Sequence, residues 1–139
     1  YKKNLTKIRN WLKKRGWELE FARDYAEADF YGRTVTISEA FSEENQIYLL
    51  LHEIGHIHSR HTKGFTKRTP LLAEQDERPF RHKGIMKWKQ FRTEEVVEEL
   101  MAWMYGEQLA EKLKIKIDKN KYHRIMVKYV FSYIEAAVD

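Results

Sequence analysis

The stretch Tyr48-Leu49-Leu50-Leu51-His52-Glu53-Ile54-Gly55-His56 holds the pattern H-E-x-x-H within a segment whose apolar residues recur at helical spacing. On a helix, residues four apart lie one above the other, so His52 and His56 can offer two imidazole nitrogens to a single ion. Glu53 is turned by about 100° from them. It stands close enough to hold a water that the ion makes acidic, and to take its proton as the water attacks a polarised carbonyl. Two nitrogen ligands beside a carboxylate base suit zinc-assisted hydrolysis, in which the pKa of a water falls to about 7. The chain contains no cysteine, which excludes thiolate zinc sites, disulfides and a cysteine nucleophile.

A hydrolytic zinc site needs a third protein ligand and an open position. The extension H-E-x-x-H-x-x-G-x-x-H would require Gly at 59 and His at 62, where the chain has Ser59 and Thr62. His61 is one residue out of that register, and His58 points off the ligand face. The better source is an acidic helix expected to be capped by Thr93 and to run to about Lys114. At 100° per residue its apolar face centres between Val97 and Leu100, while Glu95, Glu99, Ala102, Gly106 and Ala110 share the opposite side. Small residues there let another helix come close. Glu99 leads as third ligand, because it borders the apolar boundary at Trp103 and Ala102 clears space one turn later. Glu95, Glu98 and, from a different segment, His82 remain alternatives. A donor for the developing oxyanion is also needed, and His82, His123, Tyr122 and Tyr129 are the candidates.

These residues need elements to position them. A length of 139 residues suits one domain spanning 1–139 with a real core. Leu5, Ile8, Trp11 and Leu12 give residues 2–15 a helical stripe that Gly16 ends. Alternation over Trp17–Phe21 and the β-branched run Thr34–Ile37 predict two or three strands, read as a short, mainly antiparallel sheet. Ser42 followed by Glu43 and Glu44 predicts the start of the motif helix, which is expected to run to about Ser59. Gly55 costs about 1 kcal/mol inside a helix, so it asks for a close neighbour. Residues 60–92 hold both prolines and no clear period, and read as a long irregular basic insertion. Asp118 caps a last helix. The fold class is α+β.

The net charge of +5 is unevenly spread. Residues 1–15 carry Lys2, Lys3, Lys7, Arg9, Lys13, Lys14 and Arg15 without an acid, and residues 60–92 are also basic. Residues 93–111 carry Glu94, Glu95, Glu98, Glu99, Glu107 and Glu111 without a base. Solvated faces attracting each other across the fold explain this better than a nucleic-acid surface, which stays a secondary reading. No apolar run is long enough for a membrane helix and no signal peptide is evident, so a soluble cytoplasmic protein is expected. The start at Tyr1 rather than Met leaves room for a trimmed upstream segment.

Leu51-His-Glu-Ile-Gly-His56 followed by Glu99-Leu-Met-Ala102 resembles the gluzincin metallopeptidases, whose third ligand is a Glu in an E-x-x-A pattern on a later helix. More narrowly, the N-terminal helix, a short sheet with an edge strand like Thr34–Ile37, and this pair of motifs look like the ImmA/IrrE type of small bacterial and phage metalloproteases. Trp103 and Met101 depart from the family's usual Asn after the Ala and second acid before it. The resemblance implies a zincin-like domain and a Zn2+-dependent endopeptidase acting on a protein or peptide, in some relatives a DNA-binding repressor. It also implies His52, His56 and Glu99 as metal ligands and Glu53 as catalytic base; a later His such as His82 is the ligand in SprT-like proteases. The competing reading is a zinc-containing, non-catalytic regulatory or nucleic-acid-binding module.

Overall fold

A computed structural model describes residues 1–77 and 85–138. Helix α1 (Lys2–Lys13) buries Ile8, Trp11 and Leu12, the stripe its spacing predicts. Gly16, at φ +77°, then turns the chain into the sheet. Strands β1 (Glu18–Ala22), β2 (Glu27–Asp29) and β3 (Thr34–Ser38) lie in the order β1-β3-β2. β1 pairs in parallel with β3, from Glu18 opposite Thr34 to Ala22 opposite Ser38. The shorter β2 pairs antiparallel with β3, from Glu27 opposite Thr36 to Asp29 opposite Thr34.

The sheet is therefore mixed, not mainly antiparallel, and Thr34–Ile37 forms its central strand, not an edge. Burial explains the placement. Val35, Thr36, Ile37 and Ser38 are all buried, as suits a β-branched strand flanked on both sides, whereas β2 carries Glu27 and Asp29 at an edge. A tight turn joins β2 to β3, with the Asp29 carboxylate accepting from the Tyr31 and Gly32 amides at 3.0 and 3.1 Å. Period-two patterning identifies strands but not their partners, and here the chain passes β3's position before returning to fill it.

Helix α2 (Glu43–Arg60) carries the motif. Ser42 caps it, accepting from the Asn45 amide at 3.2 Å, and nearly every residue from Gln46 to Ile57 is buried. Short helices α3 (Phe65–Arg68) and α4 (Pro70–Glu77) follow, then α5 (Ile85–Lys112) and α6 (Lys119–Val138). Within the described residues, the segment read as an irregular insertion is largely helical. Pro70 suits a first helical position. Glu94, far along the chain, accepts from the Leu71 and Leu72 amides at 2.7 and 3.2 Å. Phe65, Leu71, Leu72 and Phe91 form a small second core under these helices. α5 begins before Thr93, so Thr93 is no cap; its hydroxyl donates to the Lys89 carbonyl one turn back, at 2.9 Å. Asp118 does cap α6, accepting from the Lys121 amide at 3.2 Å. Among the described residues no helix is long and apolar enough to cross a membrane.

Candidate metal centre

The centre depends on how closely α2 and α5 cross. A Cβ added at Gly55 would lie 1.9 Å from the Ala102 carbonyl oxygen, and one at Gly106 would lie 2.6 Å from that of Leu51. Only glycine lets the two backbones meet here. The small-residue strip predicted on α5 is thus the contact surface, and it brings Glu99 to the motif histidines.

Glu99 Oε1 lies 2.7 Å from His52 Nε2, and Glu99 Oε2 lies 3.2 Å from His56 Nε2. Ligand atoms of the three residues all fall within 4.8 Å of one another. Both His52 ring nitrogens are buried and make no hydrogen bond. At 2.7 Å the Nε2–carboxylate approach is close enough for one, yet it misses hydrogen-bond geometry. Donor atoms of three residues drawn together at this distance are what a common cation requires. Tetrahedral zinc at 2.0–2.2 Å from its ligands would set them roughly 3.4 Å apart, near the 3.2 Å between Glu99 and His56 and wider than the 2.7 Å between Glu99 and His52. The neutral-nitrogen and carboxylate donor set also suits zinc or a similar borderline divalent ion.

Around these groups lies a supporting layer. The Trp103 ring stacks on His52, with centroids 4.2 Å apart and planes 14° from parallel, and its Nε1 donates to Glu99 Oε1 at 3.3 Å. Glu98 faces the other nitrogen of His56, its Oε2 3.4 Å from Nδ1. Glu98 Oε1 in turn accepts from the Ser59 hydroxyl at 2.5 Å. Glu98 thus orients a histidine by its second nitrogen, a role that reading it only as a rival ligand misses. Glu95 instead pairs with Arg92 at 3.0 Å.

Burial alone would lower the His56 pKa. The Glu98 and Glu99 carboxylates, with Glu53 behind them, outweigh it and push it up to about 10. Glu99 moves the opposite way: burial would raise its pKa, but His52 and His56 hold its carboxyl well below the usual carboxylate range.

Glu53 is buried, its Oε1 3.6 Å from His52 Nδ1. With His52 and Glu99 it lines a cavity of about 220 Å³, walled by the 24–26 connection between β1 and β2, Phe41, Leu49, Tyr129 and Tyr133. Of the oxyanion candidates, Tyr129 lies in this cavity. Tyr122 is fully buried and its hydroxyl donates to the Trp103 carbonyl at 2.5 Å. His123 pairs with Glu107 at 2.7 Å, and His82 lies outside the described residues. Tyr133, one turn beyond Tyr129, is an addition that the Tyr129-x-x-x-Tyr133 spacing could have revealed. Burial, then the nearby Glu99, Glu95 and Glu53, pushes the Tyr133 phenol up to about 12. Tyr129 is raised by burial, then by Glu53 and Glu99.

His58 packs edge-on against Tyr105 and His61 closes the end of α2, so neither joins the cluster. Comparisons with protein-family models, curated proteins and solved structures return no match.

Proposed function

We propose that the chain is a zinc-dependent endopeptidase in which His52, His56 and Glu99 hold the ion and Glu53 is the general base. The observation that carries the reading is the convergence of those three side chains, with His52 nitrogens that make no hydrogen bond, beside a buried carboxylate that opens on a cavity. Zinc, when bound, supplies Lewis acidity, polarising a peptide carbonyl and making a water acidic enough to lose its proton near neutral pH.

The chain's own residues do the rest. Glu53 takes the water's proton on its carboxylate and returns it to the leaving amine nitrogen. Tyr129 and Tyr133, whose phenols stay protonated at neutral pH, donate to the carbonyl oxygen as it gains charge. Phe41, Leu49 and the tyrosines wall off one side of the reacting bond from water. Glu98, Ser59 and Trp103 keep the ligand side chains in place without touching substrate.

Elemental analysis of the purified protein, paired with a mixed-peptide pool read by mass spectrometry, tests the reading. About one zinc per chain and new peptide termini are expected from the native protein, with both lost in Glu99→Ala. A zinc-loaded protein that leaves the whole pool intact would favour the non-catalytic module.

A further inference from the structure

The acids of α5 make their close contacts elsewhere than with the basic N-terminal segment. Glu94 holds the start of α4, Glu95 pairs with Arg92, and Glu98 and Glu99 belong to the centre. Glu107 pairs with His123 and Glu111 with Lys119. No α1 cation makes an ion pair with a described residue.

Other cations gather at the C-terminal end of α1. Lys7 Nζ donates to the Lys114 carbonyl at 2.9 Å, which ties α1 to the turn after α5. Arg33 Nη1 would lie 3.4 Å from a Cβ on Gly16, and the Arg15 guanidinium lies over Trp11 at 3.8 Å. Lys13, Lys14, Arg15, Arg33, Lys112 and Lys114 are all exposed. Two acids adjoin them: the Glu18 amide donates to the Arg33 carbonyl oxygen, and the Glu111 carbonyl oxygen accepts from the Lys114 amide; with Glu111 paired to Lys119, six positive charges stand against two negative.

We infer that this cluster is a docking surface for the phosphate backbone of duplex nucleic acid, bound without sequence preference. The face presents exposed cationic donors. α1's apolar side, Ile8, Trp11 and Leu12, is buried in the core, so it offers neither an anchor for a protein hot spot nor a face to insert into a membrane. With Trp11 and Trp17 buried, this end of α1 offers no indole platform for the stacked bases of a single strand. None of the six cations lines the cavity beside Glu53, so binding is independent of the peptidase reading.

Fluorescence anisotropy of the full chain with labelled 20-base-pair DNA and RNA duplexes tests this. Engagement of about four phosphates gives a log–log salt slope near −3.6 on DNA, a roughly 150-fold loss of affinity between 50 and 200 mM salt. Lys13→Glu with Lys14→Glu should cut the slope by about 2. Lys112→Gln with Lys114→Gln should do the same without reversing charge. Lys67→Glu with Lys128→Glu, equal in charge change but off the cluster, should cost less than twofold. No binding to either duplex at 50 mM salt overturns the inference, as does equal loss in the cluster and control variants. Binding to phosphatidylserine vesicles but to neither duplex overturns it too, by assigning the surface to a membrane.

Discussion

Gly55→Ala tests the packing on which the centre depends. In an ordinary helix interior this change stabilises by about 1 kcal/mol. Here the new methyl group would stand 1.9 Å from the Ala102 carbonyl oxygen, where carbon and oxygen need about 3.3 Å. The backbones of α2 and α5 must then part by roughly 1.4 Å. Overpacking of this kind costs about 1–3 kcal/mol, and a backbone obstacle belongs at the upper end, so the net loss should be about 2 kcal/mol. Glu99 sits one turn before Ala102 on α5 and moves with it. Metal ligands tolerate only about 0.2 Å, so zinc affinity should fall at least tenfold, comparably to losing an orienting partner. Urea unfolding of the metal-free protein and zinc competition against a chromophoric chelator measure the two effects separately. A variant that gains about 1 kcal/mol and binds zinc normally would refute the close crossing and, with it, the placement of Glu99.

Three further outcomes follow from the same contacts. Glu98→Gln leaves all three proposed ligands intact yet should lower zinc affinity by about 10–100-fold by weakening the hold on His56, as chelator competition would report. Zinc binding at pH 7 should release about one proton, because His56 is protonated in the metal-free protein and must be neutral to bind; calorimetry in buffers of different ionisation enthalpy reads this directly. Stability of the metal-free protein should fall at both pH extremes. His56, raised from 6.5 to about 10, stabilises fully below pH 6.5 and loses this as pH rises through about 10, while the depressed Glu99 stabilises above its ordinary range and loses this in acid. A urea midpoint flat from pH 4 to 10 would contradict the pairing.

The spacing of His52 and His56 and the Glu99–Ala102–Gly106 strip were legible because both follow from helix geometry alone. Ser42, Gly16 and Asp118 also marked boundaries through local chemistry. What stayed hidden depends on contacts distant in sequence. Glu98 lies only about 100° round from Glu99, so its pairing with His56 and Ser59 required knowing how α2 and α5 cross. Helix α4 draws on Glu94 for its capping, and no window around Pro70 contains that residue. β3 became the central strand because its burial on both faces outweighed the order of the chain. Trp103, a departure from the resembling family, finds its reason only in the ring stack on His52 and the bond to Glu99.

The most direct test of the zinc peptidase reading is cleavage of the peptide pool by Glu53→Gln compared with the native chain at equal zinc content. Full zinc occupancy and no new termini are expected in the variant. Cleavage by Glu53→Gln at the native rate would contradict that reading.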